Sequence, residues 1–244
     1  MIRFFVTHDD ISENTIKLKA EDSAHIRSLR LRPDELFVIS DGNCNDYICH
    51  LSSQTDEKIT VANIVEIQKA ISEPTVKCIA YIAYSKGERL DYSVQKSVEL
   101  GVHEIILFES ARCIAVPKNI PKKLERLQRI AFETAKQSGR GIVPKVSSTA
   151  NFKSVIEAVT EQSTLPLFFY ESEDNLHLKE ALEQEKELHN VSIITGPEGG
   201  FEPHEVEYAQ SKSIRTISLG PRILRCETAP LVALSAVMYH TGNL

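Results

Sequence analysis

Val191-Ser192-Ile193-Ile194-Thr195-Gly196-Pro197-Glu198-Gly199-Gly200-Phe201-Glu202-Pro203 leads from an apolar strand, through a glycine loop, to a proline suited to the first position of a helix. A loop at the carboxyl end of a strand is where an α/β sheet places its ligands. The glycine spacing matches neither G-x-G-x-x-G nor G-x-x-x-x-G-K-[ST], which removes the two common phosphate-binding fingerprints. Glu198 points the same way, because a carboxylate in a phosphate cradle repels the polyanion. A cationic ligand without phosphate suits the loop better, and S-adenosylmethionine has that chemistry. Glycine leaves backbone groups accessible to its adenine and ribose. Taken alone, Gly199-Gly200 also reads as a plain tight turn.

Ser218-Leu219-Gly220-Pro221-Arg222-Ile223-Leu224-Arg225-Cys226-Glu227-Thr228-Ala229 repeats the arrangement, a strand followed by a glycine loop and then a helix. On one sheet the two loops can build a single pocket. Working outward, strands are expected at Val76–Tyr84, Glu104–Phe108, Leu165–Tyr170, Val191–Thr195 and Arg215–Leu219. Helices are expected near 88–100, 121–139, 151–162, 177–188, 203–212 and 227–241. This alternation predicts a mostly parallel sheet covered by helices. The last helix is apolar almost all round and must be covered on several sides, within the domain or by a second subunit.

Before Pro74 the pattern differs. Short strands at Arg3–Val6, Thr15–Leu18, Leu36–Ser40, Asp46–Leu51 and Ile59–Ile67, with a turn at Asp41-Gly42-Asn43, predict a small β-barrel. A short helix over Asp22–Leu31 carries His25, Arg27 and Arg30 on a basic edge. The domains expected are residues 1–70 and 74–244.

With 42% apolar and 25% charged residues the chain is of ordinary globular composition, which excludes disordered and fibrous classes. No apolar run reaches the roughly 20 residues of a membrane span, and the first residues do not resemble a signal peptide, so a cytoplasmic protein is expected. The five cysteines include no C-x-x-C pair; they suit a reducing compartment and give no metal signature, so no metal is expected. The net charge of −6 hides local reversals: residues 112–145 hold nine Lys or Arg against two Glu. On a helix, Lys122, Arg126, Arg129, Glu133, Lys136 and Arg140 share one side, opposite Leu124, Leu127, Ala131 and Ala135. Such a stripe is either a solvated face or a phosphate-binding one, and five cations against one anion favour phosphate. In the helix near 88–100, Leu90, Val94 and Val98 mark the buried side, leaving Lys86, Arg89 and Lys96 away from the core.

Five ordered segments resemble one family along the whole chain. They are His25-Ile26-Arg27-Ser28-Leu29-Arg30; Lys86-Gly87 with Gln95–Val102; Glu133 with Gln137-Ser138-Gly139-Arg140; Gly196–Phe201; and Leu219–Ala229. The sequence resembles the RsmE family, bacterial 16S rRNA uracil-N3 methyltransferases of the SPOUT superfamily. The resemblance implies an N-terminal PUA-like β-barrel that helps hold RNA, a C-terminal α/β domain with a trefoil knot, and a homodimer acting on 16S rRNA of the small ribosomal subunit. It implies that S-adenosylmethionine is held by Leu167, Phe168 and Phe169, by Thr195, Gly196, Pro197, Glu198, Gly199 and Gly200, and by Leu219, Gly220, Ile223, Leu224 and Arg225. The chain departs from the family pattern at Pro33, Glu202 and Cys226.

Methylation at N3 needs loss of the imide proton and a cation near the resulting anion. N3 lies on the Watson–Crick edge, so the base must be unpaired or flipped. Arg140 with Gln137 is expected to read or stabilise the uracil, a phosphate contact being the rival role for Arg140. Arg225 and Glu227 are expected to order the cofactor loop or approach the base, with a helix N-terminal carboxylate as the rival for Glu227. His25, Arg27, Arg30, Lys86, Lys96, Arg112, Arg126 and Arg129 are expected on RNA. A non-catalytic ribosome assembly factor, or a SPOUT enzyme acting elsewhere on RNA, is the alternative function.

Overall fold

A computed structural model of the chain describes residues 2–52, 59–185 and 187–244. Residue 186 of the helix expected over 177–188 lies outside the described residues, as do residues 1 and 53–58 of the expected barrel domain. The chain forms two compact units. One holds the chain up to Glu73 together with Ala135–Val143, and the other holds Pro74–Thr134 with Pro144–Leu244. The boundary at Glu73/Pro74 is where the sequence pattern changes; the return of residues 135–143 to the first unit is a departure from the expected continuous domains.

The first unit contains β1 (Arg3–Phe5), β2 (Thr15–Lys17), α1 (Ala20–Ser28), β3 (Phe37–Ser40), β4 (Asn45–Leu51) and β5 (Val61–Lys69). The strand order is β1-β3-β4-β5-β2, antiparallel except for the β1/β3 pair. Among the described residues β1 and β2 share no ladder, so the five strands form a half-barrel, which fits the small barrel expected here. Phe4, Ile16, Phe37, Ile39 and Ala62 meet in its core, and α1 covers them with Ile26. One buried residue per turn is all that α1 spares for the core. His25, Arg27 and Arg30 therefore stand exposed.

The second unit contains β6 (Lys77–Ala83), α2 (Arg89–Glu99), β7 (Glu104–Phe108), α3 (Ile120–Ser138, whose last four residues belong to the first unit), β8 (Lys145–Ser148) and α4 (Phe152–Gln162). It continues with β9 (Leu165–Phe169), α5 (Leu178–Glu183), β10 (Asn190–Thr195), α6 (Pro203–Ser211), β11 (Thr216–Ile217) and α7 (Ala229–His240). All six strands are parallel, in the order β11-β9-β10-β6-β7-β8. In this unit strand β8 has no counterpart among the expected elements: Lys-Val-Ser-Ser has one buried apolar residue and pairs only at the sheet edge. The chain builds β6, β7 and β8 outward, then crosses back so that β10 inserts between β6 and β9. Reversals of this kind open a crevice at the carboxyl ends of the strands.

Phe108, Phe152, Phe168 and Phe201 pack as one aromatic cluster under that crevice, Phe168 and Phe201 edge to face at 4.8 Å. Phe201 anchors the first glycine loop to the core, where burial of such a ring is worth about 1.5–3 kcal/mol. No helix of the described residues is long and apolar enough to cross a membrane.

Candidate active site: a pocket across three strand ends

The loops that leave β9, β10 and β11 enclose a cavity of about 550 Å³. Thr195 to Phe201 form one wall and Ile217 to Glu227 the other, with Phe169, Tyr170, Glu171, Asp174 and Arg89 between them. The two glycine loops thus share one pocket, as their positions in the sequence predict. Gly200 has φ +69°, a left-handed conformation that favours glycine, whereas the Glu171 carboxylate 2.0 Å from where a Cβ would stand is the end of an exposed side chain that can swing aside. Leu167 and Phe168, expected at the cofactor, are fully buried lower on β9 and do not line the pocket; the strand reaches it with Phe169 and Tyr170. In a strand entering a packed sheet, only residues at the carboxyl end clear the core.

A cation that the motifs did not single out organises this site. Arg89, the first residue of α2, donates from Nη1 to Glu198 Oε1 at 2.9 Å, and its Nε lies 3.8 Å from Glu227 Oε2. It joins a residue of the first loop to one at the end of the second. The Lys86 amide donates to the same Glu198 oxygen at 2.9 Å. Burial pushes the Glu198 carboxyl up, but the Lys86 amide, its own amide and Arg89 outweigh burial and hold it below the ordinary carboxylate range. Glu227 behaves alike: burial raises it, while its own amide, the Cys226 thiol, Arg89 and Arg225 bring it down. Cys226 donates to Glu227 at 3.2 Å, and burial together with that bond pushes the thiol up to about 11, so it is a protonated donor at neutral pH. Helical spacing places Arg89 away from the core, but nothing in Lys86-Gly87-Glu88-Arg89 marks a contact with Glu198, 109 positions on.

The pocket suits S-adenosylmethionine. Thr195 Oγ1 and Glu198 Oε2 are buried without a hydrogen-bond partner, and buried polar groups of that kind call for one. Glu171, Asp174, Glu198 and Glu227 against Arg89, Arg222 and Arg225 leave no excess of positive charge to hold a polyphosphate. That balance fits a zwitterion bearing an extra positive sulfonium.

The remaining expected residues fall into three groups. His25, Arg27 and Arg30 are exposed on and just after α1, and Arg129 is exposed on α3. Others have protein partners. Lys96 is held by Glu99 at 2.7 Å, and Arg126 with Lys123 is held by Asp91. Arg112 donates to Glu202 at 2.8 Å and to the Gly199 carbonyl at 3.0 Å, which makes it a brace of the first glycine loop. The Lys86 side chain is exposed while its amide serves Glu198.

The third group corrects an expectation. Arg140 does not continue the basic stripe, because α3 ends at Ser138 and Gly139 turns the chain with φ +72°. The Arg140 amide reaches back to the Ala135 carbonyl at 3.0 Å, the six-to-one bond of a Schellman cap. Its guanidinium then turns inward to Glu73, Nε and Nη2 each at 2.8 Å, with the side chain 3% exposed. Glu73 also accepts from the Gly141 amide at 2.7 Å. Lys136 likewise leaves the stripe, bound to Asp22 at 3.0 Å above the Phe4 ring. Gln137 beside them is exposed.

Residues 72–238 match the family described as RNA methyltransferase domain, so the α/β unit and its pocket are of that class. The chain is 32% identical to the ribosomal RNA small subunit methyltransferase E of Bacillus subtilis, covering 100% of this chain and 98% of that one. It is 30% identical to the protein of the same name from Mesomycoplasma hyopneumoniae, over 96% of this chain and 98% of the other. The crystal structure of the Neisseria gonorrhoeae enzyme of that name, bound to S-adenosyl methionine, superposes with a TM-score of 0.83 at 29% identity, covering 98% of this chain and 97% of the other. The chain belongs to the ribosomal RNA small subunit methyltransferase E family.

Proposed function

We propose that this chain transfers a methyl group from S-adenosylmethionine to N3 of a uridine in 16S rRNA of the small ribosomal subunit, in the cytoplasm. The observation that carries the reading is the pocket itself, with two orphaned buried oxygens and no polyphosphate cradle, in a chain related to an enzyme solved with that methyl donor. Thr195–Gly200, Leu219–Arg225 and Phe169 hold the cofactor. When bound, it supplies an electrophilic methyl group on a sulfonium.

Arg225, whose side chain is 80% exposed at the pocket wall, faces the incoming base and stabilises the uracil anion. The N3 proton leaves to solvent at the open mouth, which frees the N3 lone pair for the methyl group that the cofactor would supply, the carbon–sulfur bond breaking as the N–C bond forms and its electron pair remaining on sulfur. Glu227 acts as a positioning residue, committed to Arg89, Arg225 and Cys226. Gln137 and the α1 cations His25, Arg27 and Arg30 meet the RNA, while the Arg140–Glu73 pair fixes the backbone that carries Gln137.

The finer architecture follows the same reading. The first unit is a PUA-like module, and the crossing that inserts β10 between β6 and β9 forms a SPOUT trefoil knot. The active form is a homodimer, supported by apolar side chains left exposed on α7 and on α2, which packs against it: Val232 at 39%, Tyr239 at 78% and Tyr92 at 48%.

Incubating the protein with S-adenosylmethionine and small ribosomal subunits that lack the modification, followed by mass spectrometry of nucleosides, tests the function. The expected product is 3-methyluridine in 16S rRNA. RNA binding without methyl transfer means an assembly factor, and a methyl group on another atom sinks the N3 assignment.

A further inference from the structure

Ser85-Lys86-Gly87-Glu88-Arg89-Leu90 connects β6 to α2 and separates two cavities. On one side, the Lys86 amide and the Arg89 guanidinium hold Glu198 in the cofactor pocket. On the other side, Gly87, Leu90 and Asp91 face Pro117, Lys123 and Arg126 across an open cavity of about 360 Å³, inside the roughly 300–1,000 Å³ range of small-molecule sites. Its character is unlike that of the cofactor pocket. Ala115 and Pro117, both half-buried, give it an apolar wall, whereas both of its cations lie on α3 and converge on one carboxylate.

Lys123 Nζ is 2.9 Å from Asp91 Oδ1, and Arg126 is bonded to Asp91 Oδ2. Two cations on one carboxylate leave a surplus positive charge, which Glu88 at the rim offsets only from an exposed position. The Arg126 side chain is 58% exposed, so it can meet a second anion with little desolvation. Gly87, with φ +69° and open space where a Cβ would stand, leaves the rim clear for close approach of a ligand. An apolar wall for a base beside a guanidinium and an ammonium for a phosphate is the recognition chemistry of a nucleotide.

We propose that this second cavity is a subsite for a nucleotide flanking the target base, whose phosphate takes Arg126 and Lys123 in exchange for Asp91. The proposal rests on the reading that the neighbouring pocket serves RNA methylation. One turn of chain separates the two cavities, so adjacent nucleotides of a single strand reach both. Asp91 then keeps the cations ordered in the free protein and competes with RNA for them.

The carboxylate makes the test a matter of sign. Binding of a short fluorescein-labelled single-stranded RNA is measured against salt for the full chain and for Arg126→Ala, Arg126→Lys and Asp91→Asn, with S-adenosylmethionine affinity by calorimetry and melting temperature alongside. Arg126→Ala is expected to weaken RNA binding about 10-fold and to flatten the log–log salt slope by about 1, and Arg126→Lys to recover most of it. Asp91→Asn is expected to tighten RNA binding about 3-fold, because removing a competing anion frees both cations. Cofactor affinity stays unchanged in all three. If Asp91→Asn weakens RNA binding or leaves it unchanged, the triad is a structural brace and the subsite is wrong. If the expected signs appear but the wild-type chain transfers no methyl group, the subsite stands and the methylation reading fails.

Discussion

Two arginine–glutamate constructions hold three of this molecule's five family segments in place, and they differ in what surrounds them. Arg140 and Glu73 form a pair inside the first unit, side chains 3% and 13% exposed, that ties the chain after α3 to the residue at the unit boundary. Arg89, with Glu198 and Glu227, stands in the wall of an open pocket, its side chain 45% exposed. The buried pair has spent its hydrogen-bonding capacity on protein and can do little for a ligand. The pocket trio keeps an unpartnered carboxylate oxygen and faces a cavity. Burial, more than residue type, separates an arginine that supports the fold from one that shapes a site.

The largest expected effect comes from breaking the buried pair. Arg140→Ala leaves Glu73 charged and unpaired in the interior, which costs about 3–5 kcal/mol of unfolding free energy, read by urea denaturation. Cofactor affinity per folded molecule is expected to stay at the wild-type level; a stable variant that has lost methyl transfer would return Arg140 to the chemistry. The pair also predicts acid sensitivity. Burial pushes the Glu73 carboxyl up, but Arg140 and the Gly141 and Ile142 amides bring it below the ordinary value. A lowered folded-state pKa contributes stability above the unfolded-state pKa, and that contribution fades as pH falls through the folded value. Glu73→Gln should therefore flatten the acid limb of the stability profile.

Breaking the pocket trio should have the opposite signature. Arg89→Ala is expected to weaken S-adenosylmethionine binding about 10-fold, the loss of a charge-assisted hydrogen bond, with the urea midpoint almost unmoved. Calorimetry and denaturation on the same sample decide between the two regions, and a large loss of stability here would erase the contrast. Because Glu198 and Glu227 are both held below the ordinary carboxylate range, cofactor affinity should persist at neutral pH and decline as pH falls through those lowered values.

The smallest effect belongs to the exposed cations of α1. Arg27→Ala should flatten the salt dependence of RNA binding by about 1 in log–log slope and leave both stability and cofactor affinity alone. An unchanged slope would assign Arg27 to the solvated surface.

Much of this was legible in the chain. The periodicities of Leu90, Val94 and Val98 and of Leu127, Ala131 and Ala135 place helix faces that are fully buried in the structure. The apolar runs ending at Thr195 and Leu219 place both glycine loops. Three things were not legible. Strand β8 carries one buried apolar residue and is held by its neighbour in the sheet. Arg140 looked like the next member of a helical stripe because a wheel continues through Gly139, whereas the left-handed glycine ends the helix and points the side chain at a glutamate 67 positions earlier. Arg89 lies 109 positions from Glu198, and no local pattern announces a contact at that distance.

The sequence by itself determined most of the strands and helices, β8 excepted, and the chemistry of the two loops, because strand and helix periods, glycine conformations and the charge of Glu198 are properties of adjacent residues. Only the tertiary structure decided which cations are free and which are spent. A charge acts through whatever lies within a few ångströms, and parallel strands in the order β11-β9-β10-β6-β7-β8 bring together residues that the chain keeps far apart.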